Sequence, residues 1–122
     1  MKKIFVNHTN HPSTRWSNEQ TDAAKIFGEI VDVPFPNVEA EADTEEIRKL
    51  VRANAEKILE LEPAAVLCQG EFNYTFAMVE RLKNFGVTVV AATSERVAHS
   101  EILPDGSTRQ VSTFNFVQFR EY

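Results

Sequence analysis

The chain has 122 residues, which is about one domain at a typical ~100–200 residues per domain. Its 13 Lys and Arg residues against 18 Asp and Glu residues give a formal net charge of −5. This balance argues against binding of long nucleic acid or of an anionic membrane, because counterion release needs a basic surface. The single cysteine excludes an internal disulfide and a cysteine-rich zinc site. We expect one cytoplasmic domain over residues 1–122, with no signal peptide and no membrane-spanning segment.

Short apolar runs alternate with amphipathic segments along the first three quarters of the chain. The apolar runs predict strands at residues 4–6, 29–33, 64–68 and 87–92. Between them, helices are predicted at residues 17–27, 44–62 and 72–85. Ser17 begins the first helix as half of a capping box with Gln20. The third helix places Phe72, Phe76, Val79 and Leu82 on one apolar face.

The order of these elements predicts an α/β fold. Strands that alternate with helices give right-handed crossovers and a parallel sheet, here of order 2-1-3-4. After Ala92 the pattern changes, and two extended runs at residues 97–103 and 108–119 flank a Pro-Asp-Gly-Ser turn. We therefore expect a small Rossmann-like parallel sheet with a C-terminal antiparallel β-hairpin.

Polar residues follow the apolar strands at one edge of this sheet. Ligands of open parallel sheets bind outside the carboxyl ends of the strands, where the strand order reverses, which is between the first and third strands. Residues 7–15, 69–75 and 93–96 leave the sheet at that edge. The expected ligand-binding residues are Asn7, Thr9, Asn10, His11, Arg15, Gln69, Gly70, Asn73, Thr93 and Ser94.

Several of these residues have two interpretations. Gly70 lets a ligand approach the backbone at a helix amino end, or it only forms a tight turn. His8 and His11 act as acid and base, join Glu71 around a metal, or are structural or exposed. Trp16 stacks on a base or packs at the helix start.

The cations near this edge are Arg15 and Arg96. A guanidinium offers bidentate donors to a phosphate, although surface arginines are common. Neither a GxGxxG nor a GxxxxGK[ST] motif is present, so dinucleotide and P-loop binding are not supported.

Three segments resemble a small CRISPR-associated family. They are L-C-Q-G-E-F at residues 67–72, V-A-A-T-S-E-R at 90–96 and F-N-F-V-Q-F-R-E-Y at 114–122. In that family a strand ends in Q-G-[DE]-F, the next parallel strand ends in A-T-[ST]-x-R, and the tail is F-x-x-V-x-F-R-x-Y.

The resemblance implies a CARF-like Rossmann domain of type III CRISPR defence that acts as a ring nuclease. Such a protein binds a cyclic oligoadenylate, here the four-adenylate ring, and cleaves it by attack of a ribose 2′-OH, with neither metal nor cofactor. In this role His8 and Glu71 transfer protons, while Arg96 and the Gly70 N–H contact phosphate. Gln69, Thr93 and Ser94 position ribose or adenine. A two-fold symmetric ring also implies a homodimer.

Two other functions stay open at this point. The same pocket binds the ring without cleaving it, or the domain is an unrelated nucleotide or sugar-phosphate enzyme that uses His8, His11 and a metal.

Overall fold

Strands and helices alternate along the chain as far as the fourth strand. The structure is a computed structural model that describes residues 2–122. Its elements in chain order are β1 (Ile4–His8), a 3-10 turn (Ser13–Arg15), α1 (Asn18–Lys25), β2 (Glu29–Asp32), α2 (Thr44–Glu60), β3 (Ala65–Cys68), α3 (Phe72–Asn84), β4 (Val89–Ile102) and β5 (Thr108–Glu121). The predicted mixed α/β class is confirmed.

The strands form one sheet in the order β2-β1-β3-β4-β5. β1 pairs in parallel with β2 and β3, β3 pairs in parallel with β4, and β4 pairs antiparallel with β5. The prediction separated a fourth parallel strand from the hairpin, and this is corrected. The predicted fourth strand and the first strand of the hairpin belong to one 14-residue strand, β4, and β5 is the fifth member of the same sheet. The polar residues Thr93, Ser94 and Glu95 continue the strand because β5 supplies their backbone partners.

Side-chain alternation along the strands divides the core in two. One face carries Val6, Val66, Cys68 and Val89, and α2 and α3 cover it. The other face carries Phe5, Ala65, Leu67 and Val90, and it packs against Ala24 of α1. Successive strand residues point to opposite faces of the sheet. Whether a residue occupies an odd or an even position in its strand (its parity) therefore decides which helices its side chain contacts.

The helix amino ends are capped by their own sequence. The Ser17 hydroxyl accepts a hydrogen bond from the Gln20 N–H at 3.2 Å, which confirms the predicted start of α1. Asp43 accepts a bond from the Glu46 N–H at 2.8 Å and caps α2 in the same way. Within residues 2–122, no helix combines the length and the apolar composition that crossing a bilayer requires.

Only half of the apolar face predicted for α3 is buried, because Val79 and Leu82 lie in the core but Phe72 and Phe76 do not. Tyr74, Met78 and Leu82 are fully buried, whereas the Phe72 side chain is 88% exposed and Phe76 is 71% exposed. The sheet and α2 cover the side of α3 that carries Tyr74. Because apolar residues occur on both sides of this helix, hydrophobic spacing alone does not identify the buried side.

Gly70 follows β3 where the ring of Phe35 covers the chain. A Cβ atom at Gly70 would overlap this ring, although the glycine is not among those with positive φ. Phe35 has little freedom to move, because its ring packs 4.8 Å from Tyr74 and 5.4 Å from His8, measured between centroids. Space, and not backbone conformation, therefore requires a glycine here.

We expect Gly70→Ala to lower the free energy of unfolding by about 1–3 kcal/mol, the usual range for overpacking. Urea denaturation measures this change. In a Phe35→Leu background the same substitution has a smaller effect, because the ring that it meets is gone. Equal effects in the two backgrounds would contradict this account of Gly70.

Candidate functional site

A polar pocket lies at the carboxyl ends of β1 and β3, on the face of the sheet that α1 covers. Its volume is about 500 Å³. It is lined by Thr9, Asn10, His11, Arg15, Trp16, Ser17, Gln20, Leu67, Gln69, Gly70, Ala92, Ser94, Phe114 and Phe116. Seven of the predicted ligand-binding residues lie in this pocket: Thr9, Asn10, His11, Arg15, Gln69, Gly70 and Ser94.

The loop that forms one wall of the pocket is stabilised by hydrogen bonds to a single carbonyl. The His11 carbonyl accepts bonds from the Asn7 amide at 2.9 Å and from the Trp16 indole at 3.2 Å. Asn7 also donates to the Asp32 carboxylate at 3.1 Å. Asn7 is buried beneath the loop and does not line the pocket. In this structure Asn7 therefore positions the loop, and its role in ligand binding stays a prediction.

The lining of the pocket lacks the acidic side chains that are common in the rest of the chain. None of its lining residues is Asp or Glu, although the chain has 18 of them. The exposed Arg15 forms no ion pair among the described residues. Ser17 and Gln20 place the amino end of α1 at the same wall, and helix amino ends attract anions. The arrangement therefore suits a small anionic ligand.

Gln69 serves the sheet as well as the pocket. Its amide oxygen accepts a bond from the Ala92 N–H at 2.7 Å, and its amide nitrogen donates to the Ala92 carbonyl at 3.3 Å. The side chain thus continues the ladder between β3 and β4 after β3 has ended. Both of its polar groups are engaged in this arrangement.

His8 lies on the other face of the sheet. Because β1 extends to His8, this residue shares its parity with Val6 and points towards α3, away from the pocket. Its Nδ1 lies 2.7 Å from the Val33 carbonyl, and its Nε2 lies 2.7 Å from the Tyr74 hydroxyl. A carbonyl only accepts, so Nδ1 carries the proton and Nε2 accepts from Tyr74.

These contacts correct the predicted placement of His8. Its side chain is fully buried, and burial lowers its pKa from the usual value. A neutral imidazole with both nitrogens engaged inside the fold does not reach a ligand in the pocket.

The other two predicted catalytic side chains also have partners outside the pocket. Glu71 caps α3, and its carboxylate accepts a bond from the Tyr74 N–H at 2.8 Å. Arg96 donates to the Ser112 hydroxyl at 3.0 and 3.3 Å. Ser112 lies towards the hairpin turn, so the Arg96 guanidinium points away from the pocket. The structure therefore does not place either residue where the prediction put it.

Thr93 and Asn73 are also outside the pocket. Ala92 and Ser94 line it, so the parity of β4 turns Thr93 to the opposite face, where its hydroxyl donates to the Gln118 carbonyl at 3.1 Å. Asn73 lies exposed on the first turn of α3. Both placements correct the prediction, which treated every polar residue after a strand as facing one site.

Aromatic residues form one wall of the pocket, and of these only Trp16 was considered as a site residue from the sequence. Phe114 and Phe116 line it from β5. Trp16 also lines it, and its ring packs edge-on against Phe5 with centroids 6.3 Å apart. The F-x-F spacing at residues 114–116 is the signal that was available, because it places both rings on one face of a strand.

A second cavity, of about 630 Å³, lies on the outer side of α3, where Phe72, Phe76 and Tyr122 line it. Its lining is more apolar than that of the first pocket, and it includes none of the predicted catalytic or ligand-binding residues. Among residues 2–122, no three side chains of His, Cys, Asp or Glu are grouped so that they would hold a metal ion.

We expect the stability of the protein to fall below a pH of about 6.5, because His8 is buried in the neutral form. The unfolded chain takes up a proton on His8 near that pH, its ordinary pKa, whereas the lowered pKa keeps the folded His8 neutral. The free energy of unfolding, measured by urea denaturation, is therefore lower at pH 5 than at pH 7.5. His8→Gln reduces this pH dependence.

His11→Gln is the matched control for this experiment, because His11 is exposed. It leaves the difference between the two pH values unchanged. An unchanged difference in His8→Gln would show that another group causes the pH dependence.

Comparison with known proteins identifies a family. A family model described as "Uncharacterized protein MJ1673 family" matches residues 3–120. No curated protein and no solved structure matches the chain. Since the family model covers nearly every residue, the chain belongs to the MJ1673 family.

Proposed function

We propose that this protein binds a cyclic oligoadenylate in the pocket and cleaves it as a ring nuclease. The observation that carries the proposal is a polar pocket without carboxylates, which contains Arg15 and His11, in a chain of net charge −5. Such a pocket favours phosphate groups through local charge.

The resemblance to the CRISPR-associated family supports the same ligand. Its three segments at residues 67–72, 90–96 and 114–122 are distant in the sequence, and each contributes to the pocket. Gln69 and Gly70 come from the first, Ser94 from the second, and Phe114 and Phe116 from the third. We extend the proposal to a Rossmann-like, CARF-like domain that acts in the cytoplasm in type III CRISPR defence.

The size of the pocket favours binding of part of the ring at each site. A volume of about 500 Å³ is within the range of small-molecule pockets and suits a nucleotide-sized portion of the ligand. The cyclic tetra-adenylate ring has two-fold symmetry, so a homodimer would offer it two equivalent pockets. A homodimer is therefore part of the proposal.

The proposed reaction is a transesterification within the ring. A ribose 2′-oxygen forms a bond to the adjacent phosphorus, the bond from phosphorus to the 5′-oxygen breaks, and a 2′,3′-cyclic phosphate remains. The proton of the 2′-hydroxyl passes to a base, and the leaving 5′-oxygen takes up a proton. The pocket must align the attacking and leaving oxygens and stabilise the added charge on phosphate.

Two side chains of the pocket suit these tasks. The guanidinium of Arg15 donates to phosphate oxygens and stabilises the charge that develops there. The His11 imidazole is exposed and lines the pocket, and imidazole is the side chain that most often transfers protons in catalysis. His11 therefore replaces His8 as the candidate acid or base.

A second candidate function is sequestration of the ring without cleavage. The observation that favours it is the placement of His8, Glu71 and Arg96, each of which is engaged elsewhere in the fold. A metal enzyme that uses His8 and His11 together has less support, because the two side chains lie on opposite faces of the sheet.

Incubation of cyclic tetra-adenylate with excess protein in EDTA tests the proposal directly. We expect linear di-adenylate with a cyclic phosphate end, detected by chromatography with mass detection. A ring that stays intact but elutes with the protein would establish the binding module. A ring that is neither bound nor cleaved would contradict both functions.

We expect Arg15→Ala to weaken binding of the ring by about tenfold or more, since one charge-assisted contact contributes about 1.5–3 kcal/mol. Its melting temperature stays close to that of the wild type, because Arg15 is exposed and forms no ion pair with any residue from 2 to 122. Isothermal titration of the ring and thermal unfolding measure the two effects.

Arg52→Ala on α2 is the control for Arg15→Ala, because it also removes an exposed arginine but lies outside the pocket. It binds the ring with the wild-type affinity. Wild-type affinity in Arg15→Ala as well would remove Arg15 from the binding site.

A further inference from the structure

The aromatic wall of the pocket has no part in the phosphate chemistry described above. Phe114 and Phe116 belong to β5, and the Phe114 ring is 72% exposed. Ser94 pairs with Phe116 across the sheet, and Arg96 pairs with Phe114. An exposed aromatic ring thus lies at the edge of a polar, cation-bearing pocket.

A β-bulge brings these rings to the pocket. Phe116 and Phe119 are three residues apart, so in a regular strand they would point to opposite faces of the sheet. The register between β4 and β5 shifts at Thr93 and Ser94, and this places one extra residue in β5. Phe116 and Phe119 therefore share the face that α1 covers, with ring centroids 4.9 Å apart.

The bulge produces a row of rings that begins in the core and ends in the pocket. Phe119 packs against the buried Phe5 at 5.1 Å between centroids, and Phe116 packs edge-on against Phe119. Phe114 lies on the same face, two residues before Phe116 in β5. Contacts with the core fix the inner end of the row, and Phe114 lies at its exposed outer end.

The surroundings of Phe114 indicate what it binds. An exposed ring beside amide and hydroxyl groups suits a flat ligand with both an aromatic face and polar edges. Asn10, Gln20 and Ser94 supply such polar groups in the same pocket. Arg15 in the same pocket supplies positive charge for a phosphate attached to that ligand.

We propose that Phe114 is the platform on which a purine base of the ligand stacks, with Phe116 supporting it from the core side. The identity of the purine nucleotide as part of a cyclic oligoadenylate rests on the proposed function. The stacking itself needs only a purine nucleotide that carries a phosphate.

Titration with 2-aminopurine riboside 5′-monophosphate tests the stacking, because the fluorescence of this base is quenched when it stacks. We expect quenching by the wild-type protein. Phe114→Ala weakens binding by at least about fivefold, the effect of losing one base–aromatic contact. Phe114→Tyr keeps the affinity within about twofold, because it retains the aromatic face.

Phe85→Ala is the matched control, since it removes another exposed phenylalanine that lies at the end of α3. It quenches the probe as the wild type does. An absence of quenching by the wild type, or equal affinity in Phe114→Ala, would overturn the proposal. A changed sedimentation coefficient in Phe114→Ala with unchanged affinity would overturn it too, by assigning the ring to a subunit contact.

A parallel titration with cyclic tetra-adenylate separates this proposal from the proposed function. If the ring binds equally well to the wild type and to Phe114→Ala, the stacking role is overturned and the function stands. If the probe is quenched only when Phe114 is present and the ring does not bind, the stacking role stands and the function fails.

Discussion

The end of β1 is the constraint on which both the core and the pocket depend. Asn7 and His8 are neighbours in sequence, are both buried, and point to opposite faces of the sheet. Burial of a polar side chain is unfavourable unless its groups form hydrogen bonds. Asn7 satisfies its amide with the loop of the pocket and with Asp32, and His8 satisfies its ring with Val33 and Tyr74. The same dipeptide therefore links the pocket wall, the end of β2 and α3.

Much of the fold could be predicted because its signals are local. The capping box at Ser17, the apolar runs of β1 and β3 and the turn at Pro104–Ser107 each lie within a few residues. The length of β4 could not be predicted in this way. Thr93, Ser94 and Glu95 have the composition of a loop, and only their pairing with Phe116, Gln118 and their neighbours in β5 makes them a strand. That pairing is a property of the tertiary structure.

The topology of the sheet determines where the candidate site lies. The alternation of side chains along each strand determines which residues line it. Parallel strands bring their carboxyl ends to one edge, so the polar residues after β1 and β3 were expected to lie close together. Which of them line the pocket depends on where each strand ends. Ser94 lines it and Thr93 does not, because they alternate along β4. Phe116 faces the same side as Phe119 only because of the bulge, which no local pattern indicates.

The charge distribution gives the proposed ligand a physical limit. A long polyanion would contact much of the protein surface beyond the pocket. Because the chain has a net charge of −5, that surface would repel it. A small ring brings only a few phosphates to a pocket whose lining includes Arg15 and no carboxylate. Charges beyond about 10 Å are largely screened at moderate salt, so the local cation outweighs the distant acidic residues. An acidic protein with this pocket is therefore suited to a compact anion, and in the proposed stacking the aromatic wall beside the cation adds selectivity for an anion that carries bases.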